Sequence, residues 1–194
     1  MARDRASRPE AKPLRLFVAI ELPEHAKARV AEAFAPWRGS FPKARWAPRE
    51  NWHVTLKFLG STWPRLVGWV QEGVTSIAAE HSRFETRLTG VGAFPSAGSA
   101  RVLWAGLDDH VGRMAELSLA LDAALAQEFK PESRSFRPHL TVARSEPPLH
   151  LPDGFATAIL ESDPFPVDHV TLFQSHFRRP APIYDPLASF PLGG

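Results

Sequence analysis

Apolar residues recur along the chain with two spacings, one typical of strands and one typical of helices. Residues 14–22, LRLFVAIEL, alternate and are rich in β-branched and aromatic side chains, which predicts a strand. The next segment, residues 23–37, opens with a proline and carries apolar residues three and four positions apart, at Val30, Ala33, Phe34 and Trp37. Side chains with this spacing share one face of a helix, so the segment is predicted to be helical.

The same two patterns continue to the C-terminus. They predict helices over residues 64–82 and 109–129, and strands over residues 53–59, 83–94, 101–107, 139–144, 167–177 and 188–192. Gly60 is expected to end the second strand, and a proline-rich loop is expected after residue 144. Neighbouring strands can pair as hairpins, so we expect an α+β fold with a largely antiparallel sheet. A strand and a helix recur before each strand that begins with histidine, which points to two related lobes.

Composition is that of an ordinary globular protein. The chain has 194 residues, of which 44% are hydrophobic and 23% charged. Residues 14–194 are interpreted as a single domain of two lobes, and residues 1–13, basic and nearly devoid of large apolar side chains, as a mobile tail. No apolar run approaches the roughly 20 residues of a membrane span, and no secretory signal is evident, so a cytoplasmic location is expected.

Cysteine content and net charge exclude some kinds of site. The chain has no cysteine, which excludes disulfides, thiolate metal ligands and cysteine nucleophiles. The net charge of +2 is too small to imply nucleic-acid binding by bulk attraction. Most of the 23 basic residues are arginine, however, and the planar guanidinium suits phosphate.

Two segments in different halves of the chain repeat one polar pattern. WHVTLKFLG contains His53 and Thr55, and FRPHLTVAR contains His139 and Thr141. Residues two apart on a strand project from the same face, so each strand should present one imidazole and one hydroxyl together. The alternate positions are expected to face the core; these are Val54, Leu56, Phe58, Leu140 and Val142.

Two imidazoles and two hydroxyls suit the cleavage of a phosphodiester. One histidine can accept a proton from the attacking oxygen while the other donates a proton to the departing oxygen, and threonine hydroxyls can donate to the phosphate oxygens. Two other interpretations compete with this one. A single His-x-Thr is usually a structural feature of a strand, and two histidines without a third ligand are a poor zinc site. The second copy of the pattern favours catalysis.

In these segments the chain resembles the two-histidine phosphoesterase superfamily. Within that superfamily it specifically resembles the bacterial RNA 2',3'-cyclic phosphodiesterases of the LigT type, which are also called 2'-5' RNA ligases. The resemblance extends from residue 14 onward and rests on RLFVAIELP, WHVTLKFLG, GVGAFPS, RVLWAGL, FRPHLTVAR and the closing segment that begins VTLFQSHF. One departure is RRPAPIY, before Tyr184, where relatives often have a glycine-containing turn.

The resemblance implies a bilobal LigT-like fold, with one His-x-Thr strand on each side of a central cleft. It implies that His53, Thr55, His139 and Thr141 are catalytic and that the enzyme opens a 2',3'-cyclic phosphate at an RNA end to a 2'-phosphate, without a metal or other cofactor. We assign His139 as the proton acceptor and His53 as the proton donor, an order that the sequence does not decide.

Three further side chains are candidates for substrate binding. Arg137 would share the face of His139 if the strand began early, and it would then contact an RNA phosphate. Arg144, at the end of the same predicted strand, either binds substrate or supports the fold. Phe17 either stacks on a terminal base or packs in the core.

Alternative functions of the same site stay open at this point. The site could join tRNA halves through a 2'-5' bond, since ligation uses the same chemistry as hydrolysis. It could also be a non-catalytic module that holds an RNA end. The expected partners are RNA ends or small cyclic nucleotides, with no membrane, and the protein is expected to be a monomer.

Overall fold

The computed structural model describes residues 12–194, so that residues 1–11 of the predicted tail lie outside the described residues. The three α-helices in this range are α1 (Glu24–Arg38), α2 (Val67–Glu80) and α3 (Arg113–Ala124). The ten strands are β1 (Leu14–Glu21), β2 (Arg45–Trp46), β3 (His53–Thr62), β4 (Phe84–Thr86), β5 (Leu88–Phe94), β6 (Ala100–Leu107), β7 (His139–Leu149), β8 (Phe165–Val167), β9 (His169–His176) and β10 (Ile183–Pro191).

Eight of these strands form one sheet, and its named pairings are all antiparallel. The order is β10-β9-β1-β3-β7-β6-β5, with β2 paired to β7, while β4 and β8 form a separate two-stranded sheet. The hairpins expected from the short connections are present as β5 with β6 and β9 with β10. The prediction of an α+β class with a largely antiparallel sheet is confirmed.

Strands β3 and β7 meet in the middle of the large sheet, and their contact is narrow. The described residues record a single pair between them, Val54 with Leu140, whereas β3 pairs with β1 along its whole length. One half of the sheet is therefore β10-β9-β1-β3, and the other half is β7-β6-β5. Each predicted histidine begins one of the two strands at this junction.

The two central strands contain a β-bulge at the same position of the repeated pattern. In β3, Leu56 is the extra residue, because Thr55 pairs with Ala19 and Lys57 with Val18. In β7, Val142 is the extra residue, because Thr141 pairs with Trp104 and Ala143 with Leu103. A bulge places two successive residues against one on the partner strand and so reverses the alternation of faces beyond it.

The bulges correct one prediction about which side chains are buried. Simple alternation put Phe58 in the core, yet Phe58 is 47% exposed and Lys57 is buried in its place. In β7 the corresponding residue is Arg144, which is likewise exposed, while Val142 and Ala143 are both buried. Phe58 and Arg144 therefore lie on the polar face of the sheet with the His-x-Thr residues.

The predicted element boundaries differ from the structure in several places. Strand β3 does not end at Gly60 but passes through it, with the glycine at a φ of +67° that other residues rarely adopt. The segment predicted as a proline-rich loop after residue 144 continues β7 to Leu149. The predicted strand over residues 83–94 is divided between the two sheets, and the last strand begins at Ile183 rather than at residue 188.

Helix α3 begins later than predicted because the residues before it form a cap, and it ends earlier, at Ala124 rather than at residue 129. The carboxylate of Asp109 accepts hydrogen bonds from the backbone N–H groups of Met114 and Ala115, at 2.9 and 3.0 Å. These N–H groups have no partner within the helix, so the carboxylate satisfies them and fixes the helix start. The helix then packs on β3, where the Ser118 hydroxyl donates to the Leu56 carbonyl at 2.7 Å.

A buried ion pair connects β3 to α3 and to the segment that leads into β7. The Lys57 side chain is fully buried and pairs with Asp122, and its Nζ also donates to the Lys130 carbonyl at 2.9 Å. The second oxygen of Asp122 accepts the backbone N–H of Glu132 at 2.8 Å. These contacts hold the segment that precedes His139 against strand β3, which carries His53.

We expect Lys57→Met to destabilise the protein strongly, because the Asp122 carboxylate would remain buried without a cation. Removal of one partner of a buried pair costs about 3–5 kcal/mol. Urea unfolding measures this loss.

The double variant Lys57→Met/Asp122→Asn should lose less stability, because it removes both charges and keeps an acceptor for Glu132. Arg101→Ala, which breaks an exposed pair with Glu146, is the matched control and should cost less than about 1 kcal/mol. Equal losses for Lys57→Met and Arg101→Ala would contradict this account.

Candidate active site

The two histidines are held by the same backbone contact. His53 Nδ1 lies 2.8 Å from the Asn51 carbonyl oxygen, and His139 Nδ1 lies 2.7 Å from the Arg137 carbonyl oxygen. A carbonyl only accepts, so Nδ1 carries the hydrogen and donates in both rings. Nε2 is therefore the nitrogen that remains to accept or donate a proton in each histidine.

The register of the central strands brings the two motifs together. If the pairing of Val54 with Leu140 is continued by one residue on either side, His53 lies opposite Thr141 and Thr55 lies opposite His139. All four of these side chains are partly exposed, while Val54 and Leu140 are fully buried. The alternation predicted for the two motifs is therefore present, and the four polar side chains share one face of the sheet.

Thr55 contacts Nε2 of the histidine on its own strand. The distance from Thr55 Oγ1 to His53 Nε2 is 3.1 Å. In the neutral ring with the hydrogen on Nδ1, Nε2 is an acceptor, so the hydroxyl donates to it. If His53 is protonated, Nε2 becomes a donor and the hydroxyl hydrogen is released for another acceptor.

Aromatic rings surround His53 on the polar face. Phe17 stacks on the imidazole with ring centroids 4.7 Å apart, and Tyr184 meets it edge-on at 5.3 Å. Phe173 in turn stacks on Phe17 at 5.3 Å. Phe17 is only 3% exposed, so its position favours a role in orienting the imidazole over one in stacking on a base.

His139 has a smaller aromatic environment. The ring of Phe94 meets it edge-on with centroids 5.1 Å apart, and Trp104 packs against Phe94 at 5.2 Å. Phe94 belongs to β5 and Trp104 to β6, the two strands that complete this half of the sheet. Each histidine is thus supported by aromatic side chains from its own half.

Burial lowers the pKa of both histidines. The pKa of His53 falls to about 4, mainly because the surrounding rings exclude water, and the positive charges of Arg144 and His139 lower it further. The Asn51 carbonyl and the Glu21 carboxylate act in the opposite direction. The pKa of His139 is also lowered, by burial first and then by Arg144.

Arg144 is a cation that acts on three titratable groups of the site. Besides the two histidines, it lowers the pKa of Tyr184, which burial raises. Arg144 is exposed, and no carboxylate of the described residues lies within 4 Å of it. The guanidinium is therefore available to an anion placed beside the two imidazoles.

Arg137 is placed differently from the sequence-based expectation. Strand β7 begins at His139, so the strand geometry that would align the Arg137 side chain with His139 does not extend back to it. Arg137 contributes its backbone carbonyl to the site, and its exposed side chain stays a candidate for contact with RNA.

The part of the chain that the structure describes has no cluster of side chains suited to metal binding. Within residues 12–194, no three histidine, aspartate or glutamate side chains lie close enough together to hold a metal ion. In the same part of the chain, each helix is too short or too polar to cross a membrane.

Comparison with known proteins assigns the family. The sequence profile described as the 2'-5' RNA ligase superfamily matches residues 22–177, which is most of the chain. The chain belongs to the 2'-5' RNA ligase superfamily. The resemblance found in the repeated motifs is thus confirmed.

Individual members of the superfamily are similar over nearly the whole chain. An RNA 2',3'-cyclic phosphodiesterase of Thermus thermophilus is 31% identical, and the match covers 93% of this chain and 91% of the relative. One of Geobacillus stearothermophilus is 28% identical over 92% of this chain, which spans 57% of the length of that relative. A crystal structure of a Thermus thermophilus protein has a TM-score of 0.80 at 28% identity, covering 93% of this chain and 99% of the other.

Several residues around the site of this superfamily member were missed by sequence reasoning. Tyr184 and Phe94 contact the histidines from distant parts of the chain. Glu21 acts on His53 through its charge, and Asn51 acts through its backbone carbonyl. The one available signal was that Tyr184 is the single tyrosine of the sequence. The other contacts depend on strand pairing that no local pattern specifies.

We expect NMR titration of the unliganded protein to give His53 a pKa of about 4, below the ordinary histidine value of 6.5. Arg144→Ala should raise the pKa of both His53 and His139, because a positive charge that disfavours the imidazolium is removed. Arg101→Ala, which removes an arginine not among the charges acting on either histidine, should leave both titrations unchanged. A His53 titration at or above pH 6.5 would be incompatible with the buried aromatic environment described above.

Proposed function

We propose that the chain hydrolyses 2',3'-cyclic phosphate at RNA ends to a 2'-phosphate, by metal-independent acid-base catalysis. The observation that carries the proposal is the pair of imidazoles, each with Nδ1 fixed by the carbonyl two residues before it and each accompanied by a threonine. The names of the relatives, RNA 2',3'-cyclic phosphodiesterases, support the same substrate class.

The reaction requires two proton transfers at opposite sides of one phosphorus. His139 Nε2 accepts a proton from water as the water oxygen bonds to phosphorus. The bond from phosphorus to the 3'-oxygen breaks, and His53 Nε2 donates a proton to that oxygen. The products are a 3'-hydroxyl and a 2'-phosphate, and the proton gained by His139 is released to solvent while His53 takes up another.

Charge on the phosphate oxygens is stabilised by neutral and cationic donors. The hydroxyls of Thr55 and Thr141 and the guanidinium of Arg144 lie on the face that carries both histidines. Preorganised donors of this kind stabilise the charge that develops in the transition state. Protonation of His53 releases the Thr55 hydroxyl from Nε2, so formation of the acid also supplies a donor to the phosphate.

The assignment of His53 as the acid is supported by Glu21. Its carboxylate favours the imidazolium form of His53, and no carboxylate of the described residues acts in this way on His139. Burial lowers the pKa of His53 to about 4. A bound phosphate anion would raise it, since a nearby negative charge favours the protonated ring.

Joining of RNA ends is a second candidate, and the name of the matched superfamily favours it. A 5'-hydroxyl in place of water would attack the same phosphorus and form a 2'-5' bond. The same two proton transfers would serve this joining reaction.

We expect His53→Ala and His139→Ala each to lower the turnover of a nucleoside 2',3'-cyclic phosphate by about 10²- to 10⁴-fold, the contribution of a positioned acid or base. The wild-type product, identified by chromatography against both isomers, should be the 2'-phosphate. Leu119→Ala, at an exposed position of α3, is the control for nonspecific effects.

Two outcomes of this experiment would count against the proposal. Wild-type rates in both folded histidine variants would exclude acid-base catalysis by this pair. A 3'-phosphate product would keep the reaction class and overturn the assigned leaving group. Turnover should also persist in excess EDTA, and loss of activity on chelation would point to a metal-dependent reaction instead.

We expect Arg144→Ala to raise KM by roughly ten- to a hundredfold, the range for loss of a hydrogen bond to a charged group. The pH profile of kcat/KM should also move to higher pH, because this profile reports the free enzyme and the histidine pKa values rise without the guanidinium. Arg137→Ala keeps the backbone carbonyl that holds His139, so its KM should change less and its profile should not move. If Arg144→Ala changes neither KM nor the profile, Arg144 serves the fold alone.

A further inference from the structure

The polar face of the sheet carries an arginine between two exposed aromatic rings. The guanidinium carbon of Arg15 lies 5.6 Å from the ring centroid of Phe58 and 5.0 Å from that of Phe177. Phe58 is 47% exposed and Phe177 is 80% exposed. We call these three residues the Arg15 platform.

The Arg15 platform has the exposure and charge of a binding surface. The rings of Phe58 and Phe177, both exposed next to Arg15, contribute little to a hydrophobic core. Arg178 and Arg179 follow Phe177 in an exposed loop, and none of these arginines or Arg15 has a carboxylate of the described residues within 4 Å. The nearby Asp185 is instead paired with His176, at 3.0 Å.

The Arg15 platform adjoins the candidate active site. Arg15 and Phe17 are two residues apart on β1 and share a face, and Phe17 stacks on His53. The charge of Arg15 also acts on Tyr184, which meets the same imidazole edge-on. Phe58 follows Thr55 by three residues on β3, which is about 10 Å along a strand. A continuous surface thus leads from the histidines to the platform.

The bulge in β3 is what turns Phe58 toward this surface. If the strand alternated regularly through Leu56, with no bulge, Phe58 would face the core and Lys57 would face the site. The equivalent bulge in β7 turns Arg144 toward the histidines. The repeated motif therefore presents an arginine on one strand and an aromatic ring on the other.

We propose that Arg15, Phe58 and Phe177 form a stacking subsite for a base of single-stranded RNA that lies 5' to the nucleotide carrying the cyclic phosphate. The proposal rests on the proposed function, since it extends the substrate from a phosphate end to the chain behind it.

Single-stranded RNA fits the platform better than another class of ligand. Proteins bind single strands by stacking bases on aromatic rings and by placing arginine near the backbone, and the platform has both elements without a competing carboxylate among the described residues. Continuity with the histidines also favours a ligand that reaches both places at once. An RNA chain ending in a cyclic phosphate does so.

The test compares two substrates of the full-length protein. One is a nucleoside 2',3'-cyclic phosphate, and the other is a short single-stranded oligoribonucleotide that ends in the same group. The wild-type protein should have a higher kcat/KM for the oligonucleotide, by about tenfold or more if one base is stacked. The ratio of the two kcat/KM values measures the subsite independently of changes common to both substrates.

Substitutions at the two rings separate stacking from apolar packing. Phe58→Leu and Phe177→Leu should each lower the ratio severalfold, because an apolar side chain of similar size lacks a π face. Phe58→Tyr should retain the ratio, and Leu119→Ala on α3 is the control at another exposed apolar residue. Direct binding of a fluorescently labelled single-stranded hexaribonucleotide, measured by anisotropy, should weaken in both leucine variants. The variant with the lower kcat/KM ratio should also bind the hexaribonucleotide more weakly.

The outcomes distinguish the two proposals. A wild-type protein that opens neither substrate contradicts the proposed function, and the anisotropy assay then still tests the subsite. Equal kcat/KM for the two substrates, or leucine variants with an unchanged ratio and unchanged hexamer binding, contradicts the subsite alone. A change of oligomeric state in the leucine variants, without a change in the ratio, would identify the platform as a protein interface and overturn the proposal.

Discussion

The arrangement of the site depends on one narrow backbone contact, the pairing of Val54 with Leu140. Val54 and Leu140 are the central residues of the two motifs. Because the strands are antiparallel, their pairing places each histidine across from the threonine of the other strand. A displacement of either strand by one residue would turn the motif of that strand into the core, since side chains alternate between faces. The buried Lys57, which connects β3 to α3 and to the segment before β7, opposes such a displacement from within the core.

The repeated bulge gives the two halves different chemistry at equivalent positions. Both strands reverse their alternation after the threonine, and the residue that emerges is Phe58 in one copy and Arg144 in the other. Arg144 lies where its charge affects both imidazoles, whereas Phe58 lies beside Arg15. The two motifs thus present two imidazoles held in the same way, and the differing residues, Phe58 and Arg144, make the surface around them asymmetric.

The sequence was sufficient to predict the α+β class, most of the strands and helices, and the shared face within each motif, because these follow from local periodicity. It was insufficient for the bulges, since an extra residue in a strand is defined by its partner strand. Phe58 was therefore predicted to be buried, and Arg144 could not be assigned a face. The aromatic environment of His53 is also nonlocal, because Phe17 and Tyr184 come from opposite ends of the chain. The predicted start of α3 was wrong for a different reason, because Asp109 caps the helix from a position outside it.

The low pKa of His53 is consistent with the proposed role of this residue as an acid once substrate is considered. Burial and the charge of Arg144 both lower the pKa of His53, so at neutral pH the ring is uncharged and accepts the Thr55 hydroxyl hydrogen. A phosphate beside Arg144 would offset that charge and add a negative one close to the ring, and both changes favour protonation. The protonated ring would then release Thr55 to donate to the phosphate. Binding of the anion would in this way create the acid, its hydrogen-bond donor and the charge stabilisation together, and water alone would not.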